Sequence, residues 1–459
     1  RLKRHKKGRF PVEEGNAPTL KRKEAQMQVI LPILEFIQSI LTKPAWIMGL
    51  FAFVGLVALK RPAHKVMTGT LKPILGVVPN NEVVVSMAQS VLGVQTMMIL
   101  ILGYVVNIII ARFTKFKYIF LTGHHSMFMA CLLFAVLQAS GFQGVQLVIV
   151  GGMFLGLVSA MLPAVGQRFT EKVTDGDEIA MGHFGSLAYY ISAAVGTLFA
   201  KDAEENSTEK IEVPEKFSFL RDTTISTALT MAFFYLVTAF AAYIADPAVV
   251  TKTAGGDNVI VYALTCALSF AVGVTIVYNG VRMILADLVP AFQGISNKLI
   301  PGAIPAVDCA VFFPYAPTAV ILGFVASFIG GVVGMFIVGA TLGIFIIPGM
   351  VPHFFCGATA GIYGNATGGR KGAALGAFVN GLLITFAPAL LLPVLDVFGF
   401  KNTTFGDFDF SVIGITLGRA AEAFGTTGVY AILAVLLVVA FVPNFIHTKG
   451  AVINHVEEE

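Results

Sequence analysis

The sequence predicts an all-α polytopic membrane protein with about nine to eleven transmembrane helices, including broken or re-entrant segments and a two-half repeat. Three observations predict it. Of the 459 residues, 56% are hydrophobic and only 13% are charged, whereas a soluble domain carries roughly 25% charged residues. Long segments nearly free of charge recur along the whole chain, and about 20 apolar residues cross a hydrocarbon core. The few ionisable residues that interrupt those segments stand beside glycines and prolines, where a transporter places its polar site.

The order of elements follows from the hydropathy pattern and the charges at its edges. Residues 1–26 form a basic polar tail, with Arg1, Lys3, Arg4, Lys6, Lys7 and Arg9 at its start. Beside membrane spans this run reads as a cytoplasmic retention signal rather than a nucleic-acid patch. Met27 to Leu41 reads as an amphipathic helix and Ala45 to Leu59 as a first span closed by Lys60 and Arg61. Val83 to Ile110 follows, with Arg112, Lys115 and Lys117 at its edge, then Tyr118 to Gln138 and the glycine-rich Val145 to Leu162. Gly151, Gly152 and Gly156 are the small residues that let helices approach closely.

A polar interval, Gln167 to Glu178, precedes an interrupted apolar stretch from Met181 to Ala200. Residues 201–222 form an acidic soluble loop that separates a first membrane half, 27–200, from a second, 223–447, and 448–459 is a polar tail. The second half contains Thr223 to Ile244, Val259 to Tyr278, Thr318 to Ile347, Gly372 to Phe398 and Val429 to Ile446. Two segments look alike across the loop. Leu162-Pro163-Ala164 leads to a Gly-broken piece carrying His183, and Val289-Pro290-Ala291 leads to a Pro/Gly-broken piece carrying Asp308.

An ionisable side chain inside a span costs about 2.5–3.5 kcal/mol on insertion scales, so it faces a cavity or a partner. The candidates are His124, His125, His183, Asp308, His353 and the Arg282/Asp287 pair. Pro301, Gly302 and Pro305 prevent a regular helix before Asp308, which frees backbone groups and sets a carboxylate beside them. Such a carboxylate accepts hydroxyl hydrogen bonds and can take a proton; the alternative is a structural pair with Arg282. Adjacent His124 and His125 lie about 100° apart on a regular helix, so one of them is expected to be a packing residue. Arg282 and Asp287 are expected to mark a span end. Gly361 to Gly372 with Arg370 and Lys371 lacks the order of a phosphate loop and reads as a tight basic turn. Cys131, Cys266, Cys309 and Cys356 show no metal or redox spacing and read as small buried side chains. No metal and no cofactor is expected.

With these residues the chain resembles the ascorbate-type IIC subunits of the phosphotransferase systems. The matching pieces are Leu121-Thr122-Gly123-His124, Val173-Thr174-Asp175-Gly176 with Gly182-His183, Gly280-Val281-Arg282-Met283, Ala291 to Ser296, Leu299 to Ala303 continuing to Asp308-Cys309-Ala310, and Ile346 to Gly349. The resemblance implies a multi-pass protein of the bacterial inner membrane and a homodimer in which each protomer has a scaffold and a mobile core domain. It implies inward, elevator-like carriage of ascorbate, and phosphoryl transfer from the phosphocysteine of a IIB partner that is fed by IIA. No nucleic-acid partner is implied, and the IIC chain itself carries no phosphoryl group. Carried over residue by residue, the implied substrate contacts are His124, His125, Ser126, Met127, Phe128, His183, Phe184 and Asp308, with Glu82 and Val83 as an earlier pair. Phe128 and Phe184 stand where ascorbate-binding members can have glutamine, and His125 adds a polar group. The rival reading of the same residues is an ion- or proton-coupled secondary transporter using Asp308 or His183 as its coupling group.

Overall fold

The structure is a computed structural model that describes residues 82–201, 203–211, 223–255, 257–397 and 404–444, with the backbone alone at 82–92, 223, 245, 277–278, 281–289, 397 and 443. The expected tails, the segments Met27 to Leu41 and Ala45 to Leu59, and most of the end of the acidic loop lie outside the described residues. So do the side chains of Glu82, Val83, Arg282 and Asp287.

The described chain is overwhelmingly helical. Its helices are α1 (Glu82–Phe113), α2 (Gly123–Ala139), α3 (Gly144–Thr174), α4 (Ser186–Gly196), α5 (Thr223–Ala245), α6 (Pro247–Thr253), α7 (Val259–Lys298), α8 (Pro317–Leu342), α9 (Met350–Val397) and α10 (Phe408–Phe441). Seven helices among the described residues are long and apolar enough to cross a membrane, and α2 and α4 are shorter apolar helices. The chain is thus a multi-pass membrane protein.

Some of those helices fold back on themselves. At 48 residues, α9 would reach about 70 Å if straight, more than twice a hydrocarbon core of roughly 30 Å. It breaks at Gly368 and at Gly369, whose φ of 58° is left-handed, and Gly364 comes back against Gly372. The expected basic turn is therefore present, with Arg370 at the tip donating to the carbonyls of Ser207 and Lys210. Helix α10 turns in the same way at Gly425, bringing Gly428 against the Ala420 carbonyl.

Close helix contact is made by small residues, since lipid offers no hydrophobic drive for helix association. A Cβ at Gly151 or Gly156 of α3 would strike Ile99 or Val106 of α1. Gly323 of α8 faces Gly357 and Gly361 on the first arm of α9, while Gly330 faces Phe378 on the second. Helix α8 thus lies between two arms.

Three short strands were not expected. Tyr118–Phe120 (β1), Ala180–Met181 (β2) and Ile304–Val307 (β3) form one parallel sheet with β3 in the middle. The expected span from Tyr118 is consequently divided: β1 occupies its start and α2 begins at Gly123. The expected polar interval from Gln167 also differs, because α3 continues to Thr174 with Gln167, Phe169, Thr170 and Thr174 buried and Arg168 and Lys172 exposed. That is helical periodicity, which the polar composition concealed.

A strand at membrane depth must have its backbone groups paired from within the protein. Here the preceding long helices supply the partners. Asn107 of α1, buried, donates to the Tyr118 carbonyl (3.0 Å) and accepts from the Phe120 amide (3.0 Å). Gln167 of α3 donates to the Ile179 carbonyl beside β2 (3.1 Å).

Candidate functional site

The sheet sets the site. Each strand follows a long helix and ends in a break that carries an ionisable side chain: β1 before His124 and His125, β2 before His183, β3 before Asp308. Because all three strands are parallel, their carboxyl ends lie together. Beyond the ladder, Leu121 and Gly182 still donate to the carbonyls of Ala306 (2.9 Å) and Val307 (2.7 Å), holding the first residues after β1 and β2 against β3. Gly182 is required there. A Cβ at that position would collide with the Ala306 carbonyl.

The side chains converge on Asp308. His124 Nε2 lies 3.7 Å from Asp308 Oδ2, and His183 Nε2 lies 3.9 Å from Oδ1. These separations exceed a direct hydrogen bond and match charge-dipole contact or a hydroxyl placed between the groups. The alternative pair of Asp308 with Arg282 has no described side chain on the arginine, whereas both histidines face the carboxylate. Cys309, next to Asp308, is buried.

His125 belongs to the same cluster. Its ring centroid is 3.7 Å from that of His183 and 4.6 Å from that of His124, and its Nε2 lies 3.8 Å from Asp407 Oδ2. Both of the adjacent histidines join the cluster. Their divergence on the first turn of α2 sends each to a different carboxylate. Asp407 is the N-cap residue of α10, and it accepts a hydrogen bond from the Cys356 thiol at 2.9 Å. Behind it Asp409, fully buried, accepts from Ser186 Oγ (2.8 Å) and the Leu187 amide (3.1 Å), so it binds the start of α4 to the start of α10.

Hydrogen bonds fix the ring tautomers. The Gly185 amide donates to His183 Nδ1 at 3.1 Å, and Tyr189 Oη lies 3.0 Å from the same atom. The Phe184 amide donates to His125 Nδ1 at 3.4 Å. An Nδ1 that accepts from an amide leaves Nε2 to carry the ring proton toward the carboxylate. His125, His183 and Asp407 bring donor-capable atoms within 4.8 Å of one another, as do His183, Asp308 and Cys309. Metal ligation through Nε2 would require the opposite tautomer of both rings. The cluster offers N–H donors beside carboxylate acceptors, which is the complement of a hydroxyl.

The remaining expected residues divide. Phe128 approaches the rings of His124 (6.2 Å) and His125 (6.3 Å) edge-on. Phe184 is buried and stacked on Phe120 at 4.8 Å, its ring lies 6.3 Å from that of His125, and its amide is the donor to His125 Nδ1. Met127 lies in the hydrophobic core, and Ser126 donates to the Thr122 carbonyl within its own helix. His353 is buried against Gly331 and pairs with Ser327 Oγ at 3.0 Å. Cys356 is buried as expected but also serves as a donor. Asp407, Asp409 and Tyr189 were not anticipated. Two carboxylates directly ahead of the apolar run of α10 form a helix-start signal that could have revealed the first two.

Fold and cluster together define a polytopic membrane protein with an internal histidine-carboxylate site built where broken segments meet. The chain belongs to the EIIC-GAT family, described as the PTS system sugar-specific permease component, which matches residues 39–78 and 74–409. Among curated proteins it is 25% identical over 450 residues to the ascorbate-specific PTS system EIIC component of Mycoplasma pneumoniae, covering 79% of this chain and 67% of that relative.

Proposed function

We propose that this permease carries ascorbate, or a related small sugar acid or polyol, inward across the bacterial inner membrane for phosphorylation by a IIB partner supplied by IIA. One observation carries the reading: His124 and His183 reach the same carboxylate, Asp308, from the ends of parallel strands. Family membership supports a sugar substrate and coupling to phosphotransferase components, and the relative's name supports ascorbate.

In this reading Asp308 accepts a substrate hydroxyl and orients it, while the Nε2–H groups of His124 and His183 donate to neighbouring oxygens. Phe128 closes the site with an apolar edge. The strand ends and the helices that start from them form the core that moves in an elevator-like step, against a scaffold that joins two copies of the chain. Phosphoryl chemistry stays on the partner's cysteine, and this chain supplies binding, orientation and exclusion of water.

The test is Asp308→Asn in purified protein. Binding of ascorbate, read as a rise in thermal midpoint, should be lost while the oligomeric state is retained. Unchanged affinity would remove Asp308 from the site and with it the proposed mode of binding.

A further inference from the structure

We infer that Asp407 is a second substrate-binding carboxylate, which together with His125 holds a different hydroxyl from the one held at Asp308. This inference rests on the carrier reading above and extends its site to a residue that neither the sequence motifs nor the family resemblance indicates.

Four observations carry it. His125 Nε2 and Asp407 Oδ2 are 3.8 Å apart, nearly the same spacing as the two histidine contacts of Asp308. That spacing is too long for a direct bond and suits one oxygen that accepts from the imidazole and donates to the carboxylate. His183 lies between the two poles: its donor atoms fall within 4.8 Å of those of His125 and Asp407 on one side and of Asp308 and Cys309 on the other. One small molecule with several hydroxyls can therefore engage both carboxylates. Next, the Asp407 side chain retains 19% exposure, close to the 22% of Asp308, whereas Asp409 two residues on is completely buried and occupied. Asp407 is the member of the pair left open to a ligand.

The fourth observation is how the carboxylate is held. The Cys356 thiol donates to Oδ1 at 2.9 Å and leaves Oδ2 turned toward His125. Cys356 is thus a positioning residue. The adjacent start of α10 is fastened by Asp409 to Ser186 and Leu187, and by the Asp409 amide to the Phe184 carbonyl at 3.0 Å. The segment carrying His183 and the segment carrying Asp407 are consequently one unit, and the two poles keep their spacing when that unit moves.

The two poles also have a charge consequence. The cluster presents two carboxylates and no lysine or arginine among its described side chains. The part of a substrate lying between Asp407 and His125 must then be uncharged and must donate. An alcohol hydroxyl meets both conditions, whereas an anionic oxygen meets neither.

The experiment uses the purified full chain in detergent, with thermal-shift titrations of ascorbate, xylitol and single-position deoxy analogues of whichever probe stabilises the wild type. Removing one charge-assisted hydrogen bond costs a binding constant about tenfold or more. Asp407→Asn and His125→Phe should each weaken the probe by that factor, with the unliganded midpoint nearly unchanged. One deoxy analogue should bind the wild type weakly and be indifferent to Asp407→Asn, which a merely structural role would not produce. Cys356→Ala, which leaves the carboxylate in place, keeps the test open if Asp407→Asn folds poorly, and it should weaken the same hydroxyl contact. Loss of binding in Asp308→Asn with wild-type affinity in Asp407→Asn would overturn the second pole and leave the carrier reading standing. Tighter ascorbate binding by Asp407→Asn would overturn it too, because the residue would then only repel. A wild type that none of the probes stabilises would overturn the substrate class and this inference together.

Discussion

Asp409 separates support from contact at the level of single residues. Its carboxylate is wholly buried and accepts from Ser186 and Leu187 at the start of α4, so its removal leaves those donors unpaired in an apolar interior. Asp409→Ala should lower the unfolding free energy by about 3 kcal/mol, read as a drop in denaturation midpoint in detergent; a change below about 1 kcal/mol would show that the two helix starts are held by other contacts. His124, His183 and Asp308 could be chosen from sequence because an ionisable residue beside a Gly/Pro break is costly in a membrane. The carboxylate that His125 faces could not, since helical spacing says that neighbours diverge but not that a second carboxylate waits on the other side. Asp407 comes from more than 200 positions away from His183 by the same measure as its neighbour Asp409, whose bond to Ser186 spans 223 residues, and no local pattern reports a contact of that range.

Among elements, the small sheet is the decisive feature. Helices were legible in the sequence as charge-free runs, but strands of two to four residues carry too little periodicity to be read. Their existence depends on pairing that only the folded chain provides, including the side-chain amides of Asn107 and Gln167 that take the outer edges. Asn107→Leu deletes both bonds to β1 and should destabilise the protein by about 2–3 kcal/mol. It should also weaken ligand binding several-fold by loosening His124, although residue 107 touches no substrate. Full affinity in a destabilised Asn107→Leu protein would mean that β1 does not position the histidines. The likeness between the two Pro/Gly-broken segments now has a structural counterpart, since each runs from a long helix into a strand and then into a polar residue of the site. The doubled-back α9 and α10 were only half visible: glycine pairs mark a possible turn, yet only the return of Gly364 against Gly372 and Gly428 against Ala420 makes one.

At the scale of the whole molecule, hydrophobic composition required a membrane and said nothing of what crosses it. Seven long apolar helices among the described residues and an internal polar cluster suit a permease, and it is family membership that adds the phosphotransferase components. In the proposed function, carriage through this site ends in phosphorylation by such a partner rather than in release against an ion gradient. Uptake of radiolabelled ascorbate into vesicles holding the purified protein separates the two directly. With phosphorylated IIB and IIA inside, labelled phosphorylated product should accumulate, and Asp308→Asn vesicles should accumulate none. Accumulation of unmodified ascorbate driven by a proton gradient alone, without the partner proteins, would contradict the account.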